Sequence, residues 1–268
     1  MNLKLNANVG EGRMLAERYK INGVPQMVFL RSDGSEIDRI VGHRPPDQYV
    51  EIVKDIMAGK NTLSDLESRI KSSPTDLELM VKLGEKYENM GDFEKTSEMY
   101  KKILQFNADS SSEDVNRARY FLAMDAFFKG DAAAIDRFIL KFPFSKYVPD
   151  AYFEMSRYYA SEDDTVKEVA VLKTYSDKFP DDPNALNAYA WRMSELEMNL
   201  EDALKKAERA VELSKDDELS MANLLDTQAE VLWKLGRNQE AIDVIDRAIA
   251  IDDKRPYFHE QRTKFSKK

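Results

Sequence analysis

The pattern of apolar and polar positions changes near residue 58. Before that point, short apolar runs alternate with turn residues, which predicts strand, helix, strand, turn, strand and helix in that order. These elements are predicted over residues 3–5, 14–19, 27–30, 32–35, 37–41 and 49–57. Beyond that point, apolar residues recur at spacings of about three and four, the period of one buried stripe on a helix. The sequence therefore predicts a mixed α/β segment followed by a mainly helical one.

The helices of the second part come in pairs that repeat at intervals of roughly 31–39 residues, which indicates an array of helical hairpins. A helix capped by Asn61 or Thr62 precedes them. In the first full unit, residues 77–108, Gly84 leaves room for the partner helix and Gly91 can adopt the positive φ that ends a helix. We expect about five hairpins and a polar capping helix over residues 257–265, because stacked repeats bury one another's stripes. One of the later units carries an extra residue near 197–199.

The repeat unit itself resembles the tetratricopeptide repeat. Residues 80–92 contain a large apolar residue, then Leu-Gly, Tyr and Gly-Asp in the order typical of that family. The unit around Leu235-Gly236 follows the same pattern. The resemblance implies a solenoid with a concave groove that binds a peptide or protein partner.

Residues 2–57 resemble the C-terminal half of a thioredoxin domain. The resemblance rests on the order of the elements, the Ser32–Gly34 turn, Gly42, and the Val24–Pro25 loop, which in that family holds a cis proline. Bacterial proteins that join such a domain to tetratricopeptide repeats are a known combination, and the chain resembles one without the first half of its thioredoxin-like domain. We therefore expect three parts: residues 1–58 as that C-terminal half, 59–74 as a linker helix, and 75–268 as repeats with a cap. The expected fold class is mainly α, a tetratricopeptide-like solenoid after an incomplete thioredoxin-like α/β segment.

The missing first half leaves two interpretations open. Residues 3–6 and 27–30 would pair directly or leave an apolar strand edge exposed, and an exposed edge invites pairing with another chain. The segment then self-associates through that edge. Alternatively, Met1 is an internal methionine of a longer reading frame.

Composition narrows the chemistry. The 268 residues contain no cysteine, so disulfides, thiol catalysis and cysteine-based metal sites are excluded, and thioredoxin chemistry needs a thiolate. The net charge of −9 argues against nucleic-acid binding, which needs basic patches. We find neither a run of about 18 apolar residues that would span a membrane nor a signal peptide. The chain as written is expected to be cytoplasmic, or periplasmic if an upstream signal and the missing half exist.

No catalytic residue, metal site or cofactor is predicted. His43 and His259 lie far apart and have no metal-ligand spacing, so we interpret both as surface residues. Four Asp-Asp pairs lie between helices, where aspartate caps a helix N-terminus and interacts well with the helix dipole. They are at residues 163–164, 181–182, 216–217 and 252–253.

Candidate binding residues come from the resemblance to the repeat family, in which first-helix positions between the packing residues line the groove. They are Val81, Glu85, Tyr120, Met124, Phe153, Arg157, Asn187, Trp191, Asp226, Glu230 and Trp233. The aromatic members are either groove residues or simply core. Because Val81, Glu85, Asp226 and Glu230 stand where some members have carboxylate-clamping Lys and Asn, a basic or aromatic ligand is more compatible. Val24 and Pro25 either contact an extended peptide or only shape their loop.

These patterns predict a non-enzymatic scaffold that binds a peptide or protein partner in the groove. The alternative is a truncated form of a thiol–disulfide oxidoreductase or of a chaperone-like thioredoxin-family protein, whose Cys-x-x-Cys half is missing. A sequence of this kind does not identify the partner, since repeat arrays share architecture without sharing ligands.

Overall fold

A computed structural model describes residues 4–21, 23–107 and 112–267, which form fourteen helices and one two-stranded sheet. The elements before the repeats are α1 (Gly10–Arg18), β1 (Gln26–Leu30), β2 (Glu36–Val41), α2 (Pro46–Met57) and α3 (Leu63–Ser72). The helices that follow are α4 (Leu77–Asn89), α5 (Phe93–Phe106), α6 (Glu113–Phe128), α7 (Ala134–Lys141), α8 (Val148–Ser161), α9 (Thr165–Lys178), α10 (Pro183–Leu196), α11 (Leu200–Leu213), α12 (Glu218–Lys234), α13 (Asn238–Ile251) and α14 (Pro256–Phe265). The predicted fold class, a helical-hairpin array after a small α/β segment, is confirmed.

The chain divides into two compact units, Met1–Ser145 and Lys146–Lys268. The first contains a buried cluster that includes Leu66, Leu83 and Tyr100, and the second contains one that includes Tyr189 and Leu225. Each hairpin buries its apolar stripe against neighbouring helices of the same unit, as the spacing predicts. The three-part division at residues 58 and 74 stays a prediction.

The small sheet is an antiparallel hairpin in which Gln26 pairs with Val41 and Leu30 with Glu36. The strand predicted over residues 3–5 is wrong where the structure describes it, since Lys4 and Leu5 have no regular structure; Leu3 lies outside the described residues. The reason is local. The chain turns at Asn6, whose backbone lies so close to Gly12 of α1 that a side chain at position 12 would collide with it. The chain therefore turns toward α1 instead of extending along β1.

Aspartate caps explain where several helices begin. Asp164, Asp182 and Asp217 accept hydrogen bonds from the backbone N–H groups of Lys167 (3.1 Å), Asn184 (2.9 Å) and Ser220 (3.2 Å). Three of the four predicted Asp-Asp capping pairs are therefore confirmed. The prediction is wrong for residues 252–253, because α14 begins at Pro256 with Arg255 at its N-cap.

The connection between α10 and α11, residues 197–199, differs in backbone conformation from that between α4 and α5, residues 90–92. Glu197 and Asn199 both have left-handed backbone conformations, with φ of 53° and 49°. The corresponding turn between α4 and α5 needs only Gly91, at φ 70°. Both connections are three residues long, so the extra residue expected near 197–199 does not lengthen the connection; instead α10 has 14 residues where α4 has 13.

Candidate functional site

In the first unit, the predicted groove residues of α4 are engaged with neighbouring side chains. Val81 is partly buried against the core cluster. Glu85 forms an ion pair with Arg117 of α6, whose second nitrogen lies 3.1 Å from Glu88. Glu88 also accepts a hydrogen bond of 2.9 Å from the Tyr100 hydroxyl. These contacts tie α4 to α5 and α6, so the Glu85 carboxylate already has a cationic partner.

The two candidates on α6 are buried completely or in part. Met124 is buried, with 7% of its surface exposed. The Tyr120 ring is partly buried, and its centroid lies 5.9 Å from that of Phe138 on α7. Tyr120 therefore contributes to the packing of the α6–α7 hairpin, which agrees with the core interpretation that the sequence left open for the aromatic candidates.

In the second unit, α10 contacts both α8 and α12, so the first helices of successive hairpins lie side by side. Phe153 on α8 is 43% exposed, although it is large and apolar. The guanidinium of Arg157, one turn further along, lies 6.0 Å from the centroid of the Phe153 ring, and Arg157 also pairs with Glu154 at 3.3 Å. Phe153 and Arg157 thus form an exposed aromatic–cation pair.

The candidates on α10 are Asn187 and Trp191, one helical turn apart and both partly exposed. Asn187 Oδ1 is buried and has no hydrogen-bond partner among the residues that the structure describes. Leaving a buried acceptor unbonded costs about 1–3 kcal/mol, so it is unusual in a native fold. Asn187 is therefore the one candidate with a buried side-chain oxygen that has no hydrogen-bond partner among the described residues.

The candidates on α12 are covered by the last helix. Asp226 and Glu230 are only 7% and 6% exposed. Gln261 of α14 places its amide nitrogen 3.3 Å from the Asp226 carboxylate and 3.5 Å from that of Glu230, and Lys264 pairs with Glu230 at 2.5 Å. Burial raises the pKa of Asp226 above its ordinary value. The acidic positions that the sequence placed in the groove therefore lie beneath α14 in this structure.

Trp233 also contacts α14. The Lys264 ammonium lies 4.4 Å from the centroid of the Trp233 ring, and the Phe265 ring centroid lies 5.9 Å from it. Burial, together with the Asp226 carboxylate, raises the pKa of Tyr257 to about 12.

Gln261 and Lys264 are the site residues that sequence reasoning missed. Their spacing of one helical turn was visible, but their partners lie more than 30 residues away.

The Val24–Pro25 peptide bond is cis, the geometry that the thioredoxin-like resemblance implies. Val24 is 75% exposed and borders a cavity of about 310 Å³ that is lined mostly by apolar residues. Contact between this loop and a peptide stays a prediction. His43 and His259 are exposed, as predicted.

Over the described ranges, no group of three or more His, Asp or Glu side chains is arranged to hold a metal ion. Within the same ranges, each helix is too short or too polar to cross a bilayer.

Comparison with protein families matches two parts of the chain. Residues 4–57 match the model of a thioredoxin-like domain, and residues 222–255 match that of a tetratricopeptide repeat. Both predicted resemblances are thereby confirmed for these residues. A search of curated proteins finds no match.

Several solved structures are similar in part. YrrB, described as a TPR protein with an unusual peptide-binding site, is 13% identical, with 74% of this chain and 97% of YrrB covered and a TM-score of 0.48. MamA is 21% identical, with 65% of this chain and 98% of MamA covered and a TM-score of 0.42. The TPR2AB domain of yeast Sti1, in complex with pHSP90, is 16% identical, with 82% of both chains covered and a TM-score of 0.40.

Proposed function

We propose that the chain is a non-enzymatic scaffold that binds a protein partner through the first-helix face of α8 and α10. The observation that carries the proposal is that four candidates of the second unit are not covered by α14. These are Phe153, Arg157, Asn187 and Trp191. The tetratricopeptide resemblance supports a binding role for this face.

The chemistry of this face favours a peptide segment that carries an aromatic side chain. Phe153 and Trp191 offer ring surfaces, and aromatic residues and arginine are the side chains that most often dominate binding energy at protein interfaces. If its side chain turns outward, Asn187 Oδ1 can accept a hydrogen bond from a peptide N–H. This bond would remove the free-energy cost of leaving that oxygen without a partner. The preference for a basic ligand loses support, because Asp226 and Glu230 are covered by α14.

Selection from a displayed library of random peptides tests this proposal. The purified chain is used as bait, and the affinities of the selected peptides are measured by calorimetry against variants. We expect selected peptides to carry an aromatic residue and to bind the Phe153→Ala, Trp191→Ala double variant at least about tenfold more weakly, since a hot-spot aromatic contributes about 2 kcal/mol or more. Phe144→Ala is the matched control, because Phe144 is 99% exposed and belongs to the other unit. Equal affinities for the chain and the double variant would reject the proposed face.

The second candidate function, a longer thiol–disulfide oxidoreductase or chaperone-like relative, is favoured by the thioredoxin-like match over residues 4–57. It predicts an in-frame Cys-x-x-Cys upstream of Met1 in the genomic sequence, whereas stop codons there would reject it. Bacterial origin, the cellular compartment, self-association through the sheet edge and the lack of nucleic-acid binding stay predictions.

A further inference from the structure

A cavity of about 260 Å³ lies within the first unit, between β2, the connection from α2 to α3, and α4. Its lining includes three buried apolar side chains, Ile40, Ile56 and Leu66, which are 5%, 4% and 1% exposed. Drug-sized ligands occupy pockets of about 300–1,000 Å³, so this cavity suits a smaller molecule. Its apolar residues can pack against an aliphatic group.

Charged side chains around the cavity are unbalanced in sign. The lining contains five cations, Arg39, Arg44, Lys60, Lys82 and Lys86, and two carboxylates, Asp55 and Glu85. This excess of positive charge stands out on a chain whose net charge is −9. The lining itself therefore carries more cations than carboxylates, although three of these cations have carboxylate partners outside it.

Both carboxylates of the lining already have donors. The Asn61 amide nitrogen donates to Asp55 at 2.8 Å, and Arg117 pairs with Glu85. The Glu85 carboxylate therefore has a cationic partner outside the lining, and that of Asp55 has a hydrogen bond from a neutral amide.

Three of the five cations are also paired. Arg39 binds Glu36 at 2.6 Å, Lys82 binds Glu78 at 2.5 Å and Lys86 binds Asp38 at 2.5 Å. Arg44 and Lys60 differ, because their side chains form no ion pair or hydrogen bond with any residue that the structure describes. A guanidinium and an ammonium are thus both available to an incoming anion.

We propose that this cavity binds a small organic anion, namely a carboxylate attached to an aliphatic body of about one amino-acid side chain. The carboxylate interacts with Arg44 and Lys60. The aliphatic body packs on the partly exposed Val41 and Ile52, beneath which Ile40, Ile56 and Leu66 are buried. This site is separate from the peptide-binding face proposed for α8 and α10, and it does not depend on it.

Titration of the full chain with three probes, followed by amide NMR shifts, tests the proposal. The probes are N-acetyl-leucine, its neutral amide, and inorganic phosphate. We expect N-acetyl-leucine to shift amides of β2, α2 and α4 with a Kd of about 1 mM, the range for so few atoms, and both other probes to bind at least about tenfold more weakly. Equal binding of the amide would overturn the anion requirement, and equal binding of phosphate would overturn the role of the aliphatic body.

A pair of charge variants locates the site. Arg44→Gln, Lys60→Gln is expected to weaken N-acetyl-leucine binding by about tenfold, because it removes two exposed charge contacts. Lys54→Gln, Lys71→Gln removes the same charge from exposed lysines of the same unit that do not line the cavity, and it is expected to leave the Kd unchanged. Equal effects of the two pairs, or no binding up to about 10 mM, would overturn the proposal.

Discussion

The close approach of α4 and α5 can be tested by adding a single methyl group. A Cβ at position 84 would lie 2.5 Å from Tyr100 Cε1, 3.0 Å from Cδ1 and 3.3 Å from Cζ. The Tyr100 ring is 1% exposed, its hydroxyl donates to Glu88 at 2.9 Å, and its edge meets the Phe121 ring with a centroid distance of 5.0 Å. The ring is therefore held at both ends and cannot retreat from the new methyl group.

The size of the effect follows from two opposing terms. Overpacking a well-packed core costs about 1–3 kcal/mol, and the anchored ring argues for the upper end of that range. Replacing glycine by alanine inside a helix returns about 1 kcal/mol. For Gly84→Ala we therefore expect a net destabilisation of about 2 kcal/mol.

Hydrogen exchange measured by mass spectrometry is the suitable assay, because it reports on the α4–α5 hairpin alone. Amides of the hairpin should exchange about 30-fold faster in Gly84→Ala, the factor that corresponds to about 2 kcal/mol. The control is the same substitution in a Tyr100→Leu background, where alanine should be neutral or stabilising relative to that background. If Gly84→Ala slowed exchange, or destabilised both backgrounds equally, the steric argument would be refuted.

Two further predictions concern buried charges of the second unit. Arg192 lies 2.7 Å from Glu168, which is 4% exposed, so Arg192→Ala should lower the free energy of unfolding, measured by urea denaturation, by roughly 2–4 kcal/mol. Adding Glu168→Gln should restore most of this stability, because it removes the charge left without a partner. If the double variant were as unstable as Arg192→Ala, the reasoning would be contradicted. Burial raises the pKa of Asp226 above its ordinary value of 3.8. Between the unfolded-state pKa and the folded-state pKa, the folded chain therefore binds more protons than the unfolded chain, and its stability falls as the pH rises. Asp226→Asn should remove this fall, measured as Tm between about pH 4 and pH 7, and an unchanged slope would argue against it.

The sequence was most informative where structure depends on nearby residues. The helical period, Gly84, Gly91 and the capping aspartates all act within one hairpin, and the structure agrees with them. The strand prediction failed at Lys4 and Leu5 because strand pairing needs a neighbour, and the pattern of a single segment does not reveal whether one is present.

The candidate site was harder to predict for a related reason. The sequence pattern of a repeat's first helix does not show whether a given position is exposed to solvent or covered by another helix. α14 covers Asp226, Glu230 and part of Trp233 through Gln261 and Lys264, which are distant in sequence. Phe153 remains exposed because no such helix covers it within the described residues of its unit.

The central claim, that the α8–α10 face binds an aromatic-bearing peptide, is tested most directly by tryptophan fluorescence. Trp191 and Trp233 are the only tryptophans, so Trp233→Phe leaves Trp191 as the single reporter. With a library-selected peptide that contains no tryptophan, the account predicts a saturable change in Trp191 emission. Adding Phe153→Ala should raise the peptide concentration at half-saturation at least about tenfold. The account would be contradicted if calorimetry gave the same peptide affinity for Trp233→Phe with and without Phe153→Ala, and if binding left Trp191 emission unchanged.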